Sequence, residues 1–235
     1  MKKLNDFQIG LFSVFKGFRF LVSHRSLMAV AVIPWLINIL LCVLLTILFY
    51  YNFGDLMNLI MTKPQGWYWL VLYYLLIAIA LVVNIFIATF FLCLVGNIIA
   101  APFHEWLCDK TTQIIHQKEK PTSFSWNLKT QFKKLILLLI LELFGLLFLL
   151  VPFIGPVVSG LITLLLLAYQ FMDFPLGAQK LTLSDQCRNF LKFPLMWLGF
   201  ALGVSILLVI PIANISVLPV GVVSATLLFY QEMLK

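Results

Sequence analysis

The chain has 235 residues, of which 63% are hydrophobic and 11% are charged. Soluble proteins average about 45–50% apolar and about 25% charged residues, so this composition excludes a soluble globular domain and predicts an integral membrane protein. The formal net charge is +7, but the basic residues stand beside apolar segments, where they mark the cytoplasmic side of a membrane rather than a nucleic-acid surface.

Residues 1–26 form the first predicted element, an amphipathic helix. Apolar side chains recur there at helical spacing, from Phe7 through Leu11 and Val14 to Leu21. This pattern favours a helix that lies in the membrane interface, and the alternative is a helix packed on the chain's own spans. Lys16 and Arg19 interrupt the apolar run, so no cleaved signal peptide is expected.

Two long transmembrane helices are predicted next, over residues 27–51 and 67–101. The first carries Pro34 and Asn38, and the second opens on Trp67-Tyr68-Trp69, an aromatic girdle typical of the headgroup level. A helix of residues 67–101 would be roughly 52 Å long, against a hydrocarbon core of roughly 30 Å, so it must tilt, bend or continue into the cytoplasm. The polar residues 102–134, rich in lysine, are predicted to be cytoplasmic.

Two further apolar stretches, residues 135–172 and 193–231, are each broken by prolines. The breaks are Val151–Pro156 and Ile210–Pro219, and neither contains a charged residue. Their arms of about 12 to 17 residues would span roughly 18 to 25 Å, which is short for a full crossing. We therefore predict two helical hairpins that penetrate only part of the bilayer, with basic open ends and both chain termini in the cytoplasm. One membrane domain, residues 1–235, accounts for all of these segments.

Polar residues inside the apolar segments are the candidates for a transport path. Glu142 is the only charge between Lys134 and Asp173, and a charge at that depth must face the protein interior, pair or become protonated. It is interpreted as a pathway or proton-linked residue, or alternatively as one that reaches the interface or bonds another helix. Asn38, Asn84 and Asn214 either line such a path or bond across helices.

The cysteines and histidines show neither metal-ligand nor catalytic spacing, and no nucleotide-binding motif is present. No metal, no cofactor and no enzymatic activity is therefore predicted. The predicted partners are membrane lipids, and no nucleic acid is expected.

Several short motifs, in order along nearly the whole chain, resemble the CysZ family of bacterial inner-membrane proteins associated with sulfate uptake, which is related to the eukaryotic etoposide-induced-protein membrane domain. They are Val32-Ile33-Pro34-Trp35-Leu36-Ile37-Asn38, Ile98-Ile99-Ala100-Ala101-Pro102-Phe103, Tyr169-Gln170-Phe171-Met172-Asp173-Phe174-Pro175, Ile210-Pro211-Ile212-Ala213-Asn214, Leu218-Pro219-Val220 and Ser224-Ala225-Thr226. The resemblance implies a homo-oligomer in the bacterial inner membrane that passes a small anion, most simply sulfate, into the cytoplasm.

The chain departs from this family at its anion-binding motif. The Gly-Leu-Arg-Arg sequence that the family carries before the first span is replaced here by Ser26-Leu27-Met28-Ala29. The resemblance then leaves Arg25, Ser26 and Leu27 as the anion-binding residues, with a guanidinium from Arg25 and hydroxyl and backbone donors from Ser26. The alternative function is a membrane scaffold or lipid-interacting assembly factor that kept the fold and lost the anion site.

Overall fold

The computed structural model describes residues 2–60, 66–116, 128–210 and 216–234. Every element in these ranges is helical, which confirms the predicted all-α fold. The elements are α1 (Lys2–Ser23), α2 (Arg25–Ile60), α3 (Trp67–His116), α4 (Leu128–Phe148), α5 (Ile154–Ala178), α6 (Leu183–Lys192), α7 (Pro194–Val209), α8 (Val217–Leu228) and a π-helical turn, Phe229–Met233.

Three stretches of the described chain are long and apolar enough to cross a membrane. They are Arg25–Phe53, Trp67–Phe91 and Ile154–Ala178, with 29, 25 and 25 residues. At 1.5 Å per residue they measure roughly 37 to 44 Å, more than a hydrocarbon core of roughly 30 Å. The first two match the predicted long spans. The third shows that the sequence underestimated one hairpin arm, because α5 continues through Pro175 to Ala178.

The chain divides into two compact units, one of residues 1–30 and 104–235 and the other of residues 31–103. The helices α2 and α3 contribute to both units. The single membrane domain expected from the sequence stays a prediction.

In the unit of residues 31–103, the two long helices present mostly exposed apolar side chains over the described residues 31–53 and 67–91. No residue of the Trp67–Phe91 span is buried. The exposed side chains include those of Trp35, Leu40, Phe86 and Phe90. A surface of this kind needs lipid tails or further helices around it.

The helix α3 runs unbroken to His116, 15 residues beyond the end at residue 101 that the sequence predicted for the span. Pro102 lies inside it, where a proline removes only one backbone hydrogen bond. Beyond the proline, Leu107, Cys108 and Thr111 are buried. Their burial stabilises a continuation that the local run of charged residues did not indicate.

Helices α4 and α5 pack against each other and form the first predicted hairpin. The turn between them contains Phe153, whose φ of 66° is in the left-handed region that a bulky residue seldom adopts. Its side chain is 93% exposed, and Leu150 beside it is 81% exposed. A Cβ on Gly155 would lie 1.9 Å from the Phe148 carbonyl oxygen, so the return of the chain requires glycine there. The tip is therefore a tight and wholly apolar surface.

Helices α7 and α8 also contact each other, as the second hairpin predicts. Its tip, including Pro211 and Asn214, lies outside the described residues. The helix α6 meets α7 at an angle of 91° at Phe193. In contrast to the exposed first hairpin, every residue of α8 from Val220 to Leu228 is buried. The second hairpin thus supplies the core of its unit.

The amphipathic helix α1 packs lengthwise on α7 and also contacts α8. Glycines bring the backbones together. A Cβ on Gly199 would lie 2.1 Å from the Phe7 carbonyl oxygen, and a Cβ on Gly10 would lie 2.1 Å from the Met196 carbonyl oxygen. Of the two interpretations of α1, packing on the chain's own helices is thus observed for one face.

Candidate functional site

The predicted anion-binding residues lie at the junction between α1 and α2, within the unit of residues 1–30 and 104–235. His24 separates the two helices. Its Nδ1 lies 2.8 Å from the Phe20 carbonyl oxygen, and Ser23 Oγ donates to the Arg19 carbonyl oxygen at 2.7 Å. The Phe20 carbonyl is one of the last four of α1, which have no intrahelical donor, so the His24 ring lies where it can cap the end of that helix.

Arg25 and Ser26, the first two residues of α2, are exposed. The first backbone N–H groups of a helix have no intrahelical acceptor, and they carry the positive end of the helix dipole. Leu27 differs from its neighbours. Its side chain is fully buried, and its N–H donates to the His24 carbonyl oxygen at 2.9 Å. Arg25 and Ser26 can therefore offer donors to an anion, while Leu27 anchors the start of the helix.

Glu142 lies between the arms of the first hairpin. Thr163 Oγ1 on α5 donates to its Oε1 at 3.4 Å, a long hydrogen bond. One turn further along α4, Gly145 lets Ile162 approach closely, because a Cβ there would lie 3.2 Å from Ile162 Cγ2. The carboxyl group is thus half-buried and held by one hydroxyl.

Two of the predicted asparagines lie in the other of the two units. Asn38 and Asn84 are both half-buried in the unit of residues 31–103. Asn38 Oδ1 is buried and has no hydrogen-bond donor among the described residues. Such an acceptor costs about 1–3 kcal/mol when left unpaired, which makes Asn38 a candidate contact for water, an ion or another helix.

A polar cluster that the sequence did not indicate lies where α3, α4 and α5 meet. Lys134 forms an ion pair with Asp173, and the lysine side chain is only 7% exposed. Lys134 was interpreted as a lysine of the cytoplasmic segment that marks topology, whereas the structure places it inside the protein. The sequence placed Asp173 directly after the first apolar stretch, but it could not indicate the partner, which is 39 residues away.

Glu105 and His104 on α3 belong to the same cluster. Burial, together with the charges of Asp109 and Asp173, raises the pKa of Glu105 to about 7. The His104 ring packs edge-on against Phe174, at 5.9 Å between centroids, and burial lowers its pKa. Several ionisable groups therefore meet in a partly dehydrated space, where Lys134 is paired with Asp173.

The pKa of Glu105 predicts a dependence of stability on pH. The folded chain binds this proton up to about pH 7, while the reference carboxyl loses it near pH 4.5, so the free energy of unfolding falls as the pH rises between these values. We expect Glu105→Gln to match the parent below pH 4.5 and to be about 1 kcal/mol more stable above pH 7, allowing for screening of this half-buried group. Thermal unfolding in detergent from pH 4.5 to 8 measures the difference, and a difference that does not change with pH would contradict it.

Further hydrogen bonds tie the two hairpins together near their open ends. Tyr169 Oη donates to Gln186 Oε1 at 2.6 Å, and Gln186 in turn donates to the Leu181 carbonyl oxygen. Gln179 Nε2 donates to Tyr230 Oη at 2.8 Å. These bonds join α5 to α6 and to the turn after α8, and so hold the hairpins in one arrangement.

The buried helix α8 carries two hydroxyl groups that link it to distant parts of the chain. Ser224 Oγ lies 2.6 Å from the Val220 carbonyl oxygen and 3.4 Å from that of Val14 on α1. Thr226 Oγ1 lies 3.3 Å from Cys108 Sγ on α3, and burial raises the pKa of the Cys108 thiol to about 12. Cys108 therefore remains protonated and serves packing.

Known proteins resemble this chain over most of its length. The family model described as Sulfate transporter CysZ/Etoposide-induced protein 2.4 matches residues 13–219. A protein from Pseudomonas paraeruginosa named Sulfate transporter CysZ is 26% identical over 224 residues, which cover 90% of this chain and 91% of that protein. A protein of the same name from Vibrio parahaemolyticus is 29% identical over 156 residues, which cover 61% of this chain and 63% of that protein.

The matched region contains the long helices, the first hairpin and the beginning of α8, and with them most of the motifs that carried the resemblance in the sequence; Ser224-Ala225-Thr226 lies beyond it. Together with the three apolar helices long enough to cross a bilayer, the match identifies a membrane transport protein. The chain belongs to the Sulfate transporter CysZ/Etoposide-induced protein 2.4 family.

Proposed function

We propose that this protein passes a small anion, in the first place sulfate, across the bacterial inner membrane into the cytoplasm. The observation that carries the proposal is the start of α2, where Arg25 and Ser26 are exposed at the open end of a helix long enough to cross the bilayer. A guanidinium and free backbone N–H groups are the donors that an oxyanion binds best. The two family relatives described above are both named sulfate transporters, which favours sulfate over other oxyanions.

The membrane orientation is part of this proposal. Lys180, Arg188 and Lys192, at the open ends of the hairpins, are exposed, and exposed basic residues beside spans favour the cytoplasmic side. Both termini and the hairpin bases would then face the cytoplasm. Lys134 contributes nothing to this argument, because it is paired with Asp173 inside the protein.

The path for the anion would be completed by several copies of the chain. The outward apolar surface of residues 31–103 suits a homo-oligomer embedded in lipid. Asn38, with its unpaired Oδ1, and Asn84 then become candidate path-lining residues. Glu142 and Asn214 complete the proposed set.

Sulfate uptake into vesicles reconstituted with the purified protein tests the anion site. We expect Arg25→Ala to lower the initial rate about ten-fold, since a hydrogen bond to a charged group contributes about 1.5–3 kcal/mol. Arg25→Lys should retain part of the rate, because it keeps the charge and loses the bidentate geometry. The matched control is Arg188→Ala, which removes an exposed arginine from α6.

An unchanged rate for Arg25→Ala would remove this residue from the site. A purified protein that binds no sulfate at millimolar concentration would overturn sulfate transport itself and favour the scaffold function. In the same vesicles, Glu142→Gln keeps an acceptor for Thr163. If uptake then depends on pH as in the parent, Glu142 serves hairpin packing rather than proton exchange.

A further inference from the structure

The helix α1 has a second face, which the protein leaves open. Gly10, Val14, Gly17 and Leu21 lie on the side that packs on α7 and α8. The opposite side exposes the apolar residues Leu4, Phe12, Phe15, Phe18 and Val22, together with Lys16 and Arg19. Three phenylalanine side chains that are about half exposed on one short helix require an apolar or interfacial surrounding.

The exposed residues of α1 form two adjoining stripes. At 100° per residue, Phe15, Phe18 and Val22 fall within an arc of about 60°, and Lys16 and Arg19 fall within a second arc of about 60° around Phe12. Asp6, the only acidic residue of α1, falls on the packed side. The open face therefore carries apolar rings beside positive charge, with no carboxylate among them.

We propose that this face of α1 is a docking surface for anionic phospholipid. The phosphate groups would pair with Lys16 and Arg19, and the phenylalanine rings would enter the boundary between headgroups and acyl chains. Charge complementarity selects the occupant, because rings alone would accept any lipid, whereas two cations side by side favour a negatively charged headgroup. This site differs from the proposed anion site at Arg25 and Ser26 in its residues and in its ligand, which is a lipid that stays bound rather than an anion that passes through.

Lipid bound at this face would be coupled to the rest of the unit. The backbone of α1 meets α7 at Gly10 and Gly199, and Ser224 of α8 lies 3.4 Å from the Val14 carbonyl oxygen. After His24 the same chain begins α2 at Arg25. Holding α1 against the bilayer therefore stabilises both the second hairpin and the start of α2.

The test uses the full chain in a neutral detergent, with phosphatidylglycerol and phosphatidylcholine of identical acyl chains as probes. We expect phosphatidylglycerol to bind about ten-fold more tightly, as two cations near an anionic headgroup would provide. Binding is measured as the rise in the thermal unfolding midpoint during titration. It is measured independently with a fluorescent label on Phe15→Cys, in a chain whose four native cysteines are replaced by serine, by quenching with spin-labelled forms of each lipid.

The double variant Lys16→Gln and Arg19→Gln is expected to lose the preference for phosphatidylglycerol while its response to phosphatidylcholine stays unchanged. The charge-keeping variant Lys16→Arg and Arg19→Lys should retain the preference. Arg188→Gln with Lys192→Gln on α6 removes the same charge elsewhere and should also retain it. If that control loses the preference to the same extent, or if the two lipids raise the unfolding midpoint of the parent equally, the proposal is wrong.

Two further arms identify a different occupant. In the first, inorganic sulfate or phosphate is added in place of lipid. If it raises the thermal unfolding midpoint as much as phosphatidylglycerol does, Lys16 and Arg19 bind a free anion and the lipid site is overturned. Ready formation of a disulfide between two copies of Phe15→Cys in the membrane, with the four native cysteines replaced by serine, would assign the face to contact between protomers. Uptake by Arg25→Ala can fail or persist independently of either result, so this test and the test of the transport site are separable.

Discussion

Replacing Gly199 by alanine is expected to lower the free energy of unfolding by about 3 kcal/mol, at the upper end for overpacking, because the obstacle is backbone. The added Cβ would lie 2.1 Å from the Phe7 carbonyl oxygen and 3.0 Å from the Leu11 backbone nitrogen. Neither atom can move without separating α1 from α7. Gly203, one turn later, also lies close to Leu11, because a Cβ added there would be 2.8 Å from the Leu11 carbonyl oxygen.

The chain offers a matched control in Gly160→Ala. Gly160 also lies inside a helix, α5, but a Cβ there meets nothing within 4 Å. Alanine is the better helix former by up to about 1 kcal/mol, so this substitution should leave stability unchanged or raise it. The two variants differ only in what surrounds the new methyl group.

The thermal unfolding midpoint of each variant is measured by the reaction of the buried Cys108 thiol with a fluorescent maleimide on heating. The other three cysteines are first replaced by serine. Cys108 is 1% exposed, so it reacts when the core opens. A Gly199→Ala midpoint equal to that of Gly160→Ala would contradict the close approach of α1 and α7. The same outcome would weaken the proposed lipid coupling, which depends on that approach.

The sequence was a good guide to elements whose cause is local. A break at Val151–Pro156 predicted the first hairpin, because prolines and a glycine interrupt an apolar helix regardless of what lies around it. The start of α2 was predicted within two residues, because the polar residues His24-Arg25-Ser26 come directly before the apolar run. The departure from the family's arginine motif at Ser26 was also readable directly.

The sequence was a poor guide where distant packing decides. Gly199 and Gly203 form a G-x-x-x-G pattern that signals close helix contact, but nothing near them reveals that their partners are Phe7 and Leu11 on α1. Likewise, α3 continues past Pro102 because its far end is buried in the other unit of the chain. These helices are determined by residues more than 90 positions away, and a local pattern cannot show that.

In the candidate site, too, the residues set by local sequence were predictable and those set by distant packing were not. Arg25 and Ser26 could be proposed from the sequence, because a helix start and its charge are local features. The buried hydrogen bond that engages the Leu27 N–H depends on the turn at His24 and was not predictable. The cluster of Lys134, Asp173 and Glu105 joins three helices, so no spacing rule could have found it.

Lys134→Met is the substitution expected to act most strongly at that cluster. It removes the lysine of a largely buried ion pair and leaves Asp173 beside the partly buried Glu105. Breaking a buried pair by removing one partner costs about 3–5 kcal/mol, and since Asp173 is 25% exposed we expect about 2–3 kcal/mol. Lys180→Met, which removes an exposed lysine, should change stability by less than about 0.5 kcal/mol.

A second substitution distinguishes a lost attraction from an uncompensated charge. If the cost of Lys134→Met comes from the carboxylate left behind, adding Asp173→Asn should recover most of it, because an amide can remain buried far more easily than a charge. If methionine merely fits badly, the double variant should be as unstable as the single one. Thermal unfolding of the parent, Lys134→Met, Asp173→Asn and the double variant at pH 8, where Glu105 is largely ionised, forms a double-mutant cycle. A coupling energy near zero would mean that Lys134 and Asp173 do not hold the first hairpin closed, and α4 and α5 would then depend on apolar packing alone.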